Sequence, residues 1–196
     1  MKKIILISML TVCCLKLFSQ ETGTFTDSRD GKIYKTVKIG TQTWMAENLA
    51  FKAVSGCWTY NNNDGLVNSY GYLYSWETAR KSCPAGWHLP SYGEWKELID
   101  YLGGESIAGG KLKSTSWWES PNSGANNSSG FLALPGGYHN YDGSFSSDGT
   151  IGIWWSSTDH GENIGYAFNV SYDDETVFSS FYNGSTFAYS VRCVKD

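Results

Sequence analysis

The sequence predicts an α+β fold, on three observations: a capped amphipathic helix beginning near Ser91, a C-terminal half rich in alternating strands, and abundant glycine with few charges. Charged residues make up 17% of the 196-residue chain, while aromatic residues reach 16% and glycines number 22; average proteins carry about 25% charge. Low charge, many turns and many aromatics suit a domain of short strands and long ordered loops in an extracellular setting.

The first segment reads as a targeting signal over residues 1–19. Lys2 and Lys3 precede the apolar run 4–15, and small Ser19 offers a cleavage point. The run is too short to cross a bilayer. A buried core helix is the alternative, disfavoured by the flanking lysines. Cleavage before a lipid-modified Cys13 or Cys14 is another, disfavoured because Val12 and Cys13 are poor residues ahead of such a cut. The expectation is an exported protein, whether secreted, periplasmic or at the cell surface, with residues 20–196 as a single domain. Removing Lys2, Lys3 and Lys16 from the fifteen basic residues leaves twelve against nineteen acidic ones, a net of −7. An acidic chain without a basic cluster speaks against nucleic acid and anionic membranes as partners. No later segment has the length of a transmembrane helix.

Residues 34–39 alternate and are β-branched, then Gly40 and Thr41 turn the chain into 42–45, which predicts a hairpin. Residues 57–69 read as a polar loop holding Asn61, Asn62, Asn63 and Asp64. A first helix is predicted over 73–83, with Trp76, Ala79 and Cys83 on one face and Pro84 as its stop. A second follows Pro90: Ser91 and Glu94 form a capping box, and Trp95, Leu98, Ile99 and Leu102 form the apolar stripe before Gly103 and Gly104. Beyond Gly104 the pattern predicts glycine-rich loops, a long loop over 116–130, and strands over 131–134, 151–156, 166–172, 177–182 and 187–194. Tyr166, Phe168, Val170 and Tyr172 share one face. Turns at 173–175 and 183–184 separate the last three strands. Helices followed by strands make an α+β domain.

In the last strand Phe187, Tyr189, Val191 and Cys193 point to one side. Cys83 lies on the helical face of Trp76. Two inward cysteines in an exported chain favour a Cys83–Cys193 disulfide, with a pair of buried thiols as the alternative; Cys57 is then the odd one out, either buried or reactive.

Further blocks resemble a known family. They run 30–40, then Gln42-Thr43-Trp44-Met45-Ala46-Glu47-Asn48-Leu49, Tyr70-Gly71-Tyr72-Leu73-Tyr74-Ser75-Trp76, and Cys83-Pro84-Ala85-Gly86-Trp87-His88-Leu89-Pro90. Gly130-Phe131, Leu134-Pro135-Gly136-Gly137, Trp154-Trp155-Ser156-Ser157-Thr158 and Ser190-Val191-Arg192-Cys193-Val194 complete them in order. The chain resembles the Fibrobacter succinogenes major paralogous domain across residues 27–196. The resemblance implies a C-type-lectin-like layout, close to that of formylglycine-generating enzymes: two helices, a small twisted, mostly antiparallel sheet and long glycine-rich loops. It implies no common activity. Members often carry a cysteine just before the Tyr-Gly block that is able to pair with the Cys57 position; here Val67, Asn68 and Ser69 stand there, so the resemblance implies no local bridge.

The chemistry of related enzymes is not matched. Copper binding in formylglycine-generating enzymes needs two late cysteines, and this chain has Cys193 alone. The iron-binding histidine cluster of sulfoxide synthases has no counterpart in the scattered His88, His139 and His160; His88, between Trp87 and Leu89, reads as structural. The calcium-bridged sugar site of C-type lectins is only echoed in Glu119-Ser120-Pro121-Asn122, and Trp154-Trp155-Ser156 lacks its acid. Asn61, Asn63 and Asp64 in one loop, and Asp173 and Asp174 with Glu175 in another, offer the oxygens calcium takes, against a plainer reading as solvated turns. No cofactor is required. Trp117, Trp118, Tyr138, His139, Tyr141 and Trp154 are the candidate binding residues, because an exposed ring stacks on a sugar or packs into a protein; on a strand, one of Trp154 and Trp155 is expected outside. The expected function is a non-catalytic binding or adhesion module that presents aromatics to a glycan or an extracellular protein. An extracellular enzyme using loop carboxylates and a structural envelope component are the alternatives.

Overall fold

The computed structural model describes residues 20–196; the signal-like segment, with Cys13 and Cys14, lies outside the described residues. Strands β1 (Thr22–Thr26), β2 (Ile33–Ile39) and β3 (Gln42–Met45) come first. They are followed by β4 (Cys57–Trp58), the single-turn helix α1 (Val67–Tyr70), β5 (Leu73–Ser75), the single turn α2 (Trp76–Ala79) and β6 (Trp87–His88). Two longer helices, α3 (Tyr92–Tyr101) and α4 (Glu105–Leu112), precede β7 (Gly136–His139), β8 (Phe145–Asp148) and β9 (Ile151–Asp159). The chain ends in β10 (Ile164–Ser171), β11 (Val177–Asn183), β12 (Ala188–Ser190) and β13 (Val194–Lys195). The fold is α+β with strands in the majority.

A five-stranded sheet runs β1-β2-β3-β13-β6, and a larger one runs β11-β10-β9-β12-β5-β4, with β7 added on β12 and β8 on β7. The pairings are antiparallel except β9 with β12. Period-two alternation on β9 sends Trp154 to one side and Trp155 to the other. Both are buried, at 2% and 0% exposure, because the sheet is covered on each face. Trp154 joins Trp44, Trp95, Phe131 and Phe168 beneath α3. Trp155 joins Tyr74, Trp76, Tyr189, Val191 and Cys193. The expectation of one exposed member fails because it assumed a sheet with one wet face.

The capping box forms as predicted: Ser91 Oγ accepts from Glu94 N, and Glu94 Oε2 accepts from Ser91 N at 2.7 Å. The helix predicted over 73–83 shrinks to one turn. Its first three residues are drawn into strand pairing, Tyr74 opposite Tyr189 and Cys57, and an extended backbone suits the aromatic run better. The stripe survives nonetheless, since Trp76, Ala79 and Cys83 face one cluster. Helix α4 replaces a predicted loop. Its two glycines hid it, yet they permit it: a Cβ on Gly109 would lie 2.5 Å from Glu175 O, and one on Gly110 2.6 Å from Gly124 O. The predicted strand 131–134 is lost, leaving a single bridge from Ala133 to Lys113; Leu132 has φ +55° and cannot continue a strand.

The predicted strand 187–194 divides into β12 and β13. Between them Val191 O and Cys193 O accept from Leu49 N and Met45 N, at 2.8 and 3.0 Å. This stretch therefore passes from the larger sheet to the smaller one and ties them together. The disulfide Cys83–Cys193 closes the same junction, spanning 110 residues. A loop of that length stabilises by about 5 kcal/mol in the chain-entropy account.

Candidate functional site

Arg192 lies where the two sheets meet and is fully buried. No carboxylate among the described residues bonds to it. Its Nε and Nη2 donate to Asn48 Oδ1 at 3.1 and 2.6 Å, and Nη1 donates to Met45 O at 3.2 Å and to Phe131 O. The guanidinium carbon sits 4.2 Å from the Phe131 ring centroid. Burial pulls its pKa down to about 9, opposed by Glu47. Asn48 Oδ1 also accepts from Trp154 Nε1 at 2.8 Å, while its Nδ2 donates to Tyr70 O at 2.9 Å. Blocks distant in sequence converge on this node: Glu47-Asn48, Gly130-Phe131, Trp154-Trp155 and Arg192-Cys193. Each polar group answers another, so the node locks the fold and offers ligand nothing.

A different arrangement lies on the Trp155 side of the larger sheet. Tyr138 of β7, Ile151 and Ile153 of β9, Asn169 of β10, Tyr182 of β11, Tyr189 of β12 and Phe187 just before β12 line an open cleft of about 190 Å³. The four rings pack on one another: Phe187 is stacked on Tyr189 at 5.8 Å, and Tyr182 stands edge-on to Tyr189 at 5.2 Å. Tyr138 meets Tyr189 edge-on at 6.0 Å. Burial raises the Tyr189 phenol, with Tyr182 and Tyr138 adding to the rise as close neighbours. The hydroxyls of Tyr138, Tyr182 and Tyr189 and the Asn169 amide have no hydrogen-bond partner among the described residues. Asn169 pairs in register with Phe178 and Ile153, and Phe178, 48% exposed, extends the aromatic face. Gly137 makes the geometry possible. At φ +59° it brings β7 so close that a Cβ would lie 2.3 Å from Ser146 O, and this sets Tyr138 over the cleft.

Of the sequence-predicted binding residues, Tyr138 alone lines this cleft. His139 stacks on Trp58 at 4.4 Å on the neighbouring surface, and burial lowers its pKa. Tyr141 is 78% exposed at the tip of the β7–β8 turn. Trp118 is packed against the core and donates through Nε1 to Ala133 O at 3.1 Å. Trp154 is a core residue with its N–H spent on Asn48, so it presents no stacking face. Trp117 is 58% exposed and lines a separate notch with Glu47, Asn68 and Ser69.

At the two calcium candidates the protein's own groups engage Asn63, Asp173 and Asp174. In the Asn61–Asp64 stretch, Asn63 Oδ1 accepts from Gly65 N at 3.0 Å. Asp174 Oδ1 accepts from Thr176 N at 2.7 Å, and Asp173 accepts from Ser171 Oγ. The carbonyls of Ser171 and Asp174 receive Lys113 Nζ, at 2.8 and 2.7 Å, so a buried ammonium sits at that turn. Among the described residues no three His, Cys, Asp or Glu side chains gather as a metal set. His88 is bridged instead by Glu94 and Asp196, 2.7 Å on either side. Cys57 is a half-buried free thiol whose pKa burial raises, the opposite of activation.

Sequence reasoning missed Asn169, Tyr182, Phe187 and Tyr189 as site residues, although it placed Phe187 and Tyr189 on one face. The signal for Asn169 was its position between Phe168 and Val170, which turns it to the opposite face of β10. A family model of the Fibrobacter succinogenes major domain matches residues 37–195. No curated protein and no solved structure matches the chain. No helix among the described residues is long and apolar enough to cross a membrane.

Proposed function

Because this chain belongs to the Fibrobacter succinogenes major domain family, we propose that it is an exported, non-catalytic binding module whose tyrosine cleft takes a ring of a neutral glycan. One observation carries the reading: four packed aromatic rings share a cleft with three phenolic hydroxyls and an amide that the protein leaves unengaged. A pyranose ring offers the complement, with C–H groups on its face and hydroxyls around its edge. Stacking supplies contact area at low entropic cost, and the phenols and amide fix orientation. The cleft is lined by no carboxylate, which favours a neutral ligand and binding that needs no calcium bridge. A C-type-lectin-like layout accords with this reading, since the N-terminal strands and β13 meet in one small sheet while long loops fill the chain between the helices and β7.

The test is a fluorescence titration of the protein with neutral tetrasaccharides built on glucose, mannose, galactose and xylose, with calcium and with chelator. The expected result is saturable, calcium-independent binding to at least one of them, weakened about tenfold or more by Tyr182→Ala, the effect of losing roughly 1.4 kcal/mol. Binding that Tyr182→Ala leaves unchanged would remove the cleft from the account.

A further inference from the structure

We infer that the notch beside Trp117 is a second saccharide contact, so that one molecule holds two sugar rings at separate places. The inference rests on the glycan-binding reading above and assigns it another site. The notch, about 140 Å³, is lined by Ala46, Glu47, Asn68, Ser69, Trp117 and Leu132, with Asn48 and Arg192 as its floor.

Three features single it out. First, Trp117 has φ +78° and Leu132 has φ +55°, so two bulky residues in the left-handed region line one small notch. Such backbone persists only where the surroundings impose it, and it gathers at binding sites. The restraints are visible: Leu132 N donates to Asn127 Oδ1 at 2.9 Å, and Glu119 N donates to Gly149 O at 2.8 Å. Second, those restraints hold Trp117 out of the core while its half-buried neighbour Trp118 packs against it. The indole makes a T-shaped pair with Tyr70, with centroids 6.0 Å apart, which fixes its orientation, and it remains 58% exposed. Third, the rim carries hydrogen-bonding capacity that the fold does not use. Glu47 Oε2 accepts from Lys35 N at 2.8 Å, and its other oxygen has no partner among the described residues. Ser69 Oγ has no partner among the described residues, and Asn68 Oδ1 meets Lys32 Nζ only at 3.5 Å.

A flat, open indole beside a carboxylate, a hydroxyl and an amide is the chemistry that receives a pyranose ring: the face stacks and the edge hydroxyls donate and accept. Glu47 turns away acidic sugars by like-charge repulsion. Arg192 touches no ligand here, because it is fully buried and its N–H groups are spent on protein acceptors; it is a positioning residue that holds the carbonyls of Phe131 and Leu132.

The experiment follows backbone amide and indole N–H signals by NMR while the intact protein is titrated with methyl pyranosides of glucose, mannose, galactose and xylose. Single rings cannot span two sites, and the same titrations are run on Trp117→Ala and Tyr182→Ala. The expected result is that the Trp117 indole signal shifts saturably with at least one glycoside. The shift persists in Tyr182→Ala, while shifts around Tyr182 and Asn169 persist in Trp117→Ala. A still Trp117 signal with moving cleft signals overturns the second site and leaves the cleft intact. A moving Trp117 signal with a still cleft supports the notch and overturns the cleft. Stillness at both overturns the two together.

Discussion

The Arg192 node and the tyrosine cleft are built from similar materials, aromatic rings with polar groups among them, and they use them in opposite ways. Trp154 and Ile153, neighbours on β9, belong one to each. At the node Asn48 Oδ1 receives three donors, from Trp154 and from two guanidinium nitrogens. In the cleft the half-buried Tyr138, Tyr182 and Asn169 have side-chain polar groups without a partner among the described residues, over Tyr189, which is 2% exposed. A satisfied network specifies one core, and an unsatisfied one at an open surface is capacity held for a ligand. The contrast separates residues whose loss unfolds the protein from residues whose loss blinds it.

The largest effect is expected at the node. Arg192→Met removes the guanidinium donors to the carbonyls of Met45, Phe131 and Leu132, while Asn48 Oδ1 keeps Trp154 Nε1, at about 1–3 kcal/mol for each buried group left unpaired. Urea denaturation should show a loss of roughly 5 kcal/mol or no folded protein; a loss below about 1 kcal/mol would mean that the node does not hold the sheets together. The Cys83→Ala, Cys193→Ala double variant tests the neighbouring staple and should lose up to about 5 kcal/mol by the same assay, with ligand affinity unchanged once folded. A core tyrosine gives the next step down. Tyr34 is fully buried and its hydroxyl accepts from Ala50 N at 3.0 Å, so Tyr34→Phe orphans that N–H and should lower stability by about 1–3 kcal/mol in the urea assay.

The smallest effect is a pH dependence at His88. Burial pulls its pKa down, but hydrogen bonds to Asp196 and Glu94 outweigh that and raise it. A raised pKa gives stability that is full below the unfolded value of about 6.5 and is lost as pH rises through the folded value. Burial raises Glu94, while its bonds to Ser91 and His88 outweigh this and lower it. Its contribution is present above the unfolded value of about 4.3 and lost as pH falls through the folded one. The cluster therefore stabilises most between these two pKa values. His88 is 41% exposed, so screening limits the effect to about 1 kcal/mol or less. His88→Gln should flatten the curve of thermal stability against pH across neutrality, and an unchanged curve would mean that the cluster contributes nothing.

Much of the frame was legible where a local rule coincided with the tertiary one. Ser91 and Glu94 announced α3, Gly40-Thr41 announced the β2–β3 hairpin, and the shared face of Trp76 and Cys83 pointed to the disulfide. What escaped depended on contacts between distant segments. Gly109 and Gly110 read as loop until the close approach of residues 124 and 175 gave them a reason to be helical. Tyr74 read as helical until β12 lay beside it. The cleft was hidden for the same reason: its lining comes from five strands, and only pairing puts Tyr138 and Tyr182 around Tyr189. Trp154 was misplaced because alternation reveals which face a residue takes, not whether that face is dry.

The most direct measurement is the paired urea midpoint and tetrasaccharide affinity of the Tyr138→Phe, Tyr182→Phe double variant against the unaltered chain. Only two hydroxyls change, and neither has a protein partner among the described residues. The account predicts a midpoint equivalent to within about 0.5 kcal/mol and an affinity at least about tenfold weaker, near 1.4 kcal/mol. A stability loss with unchanged affinity would contradict it, making the cleft a packed surface like the node.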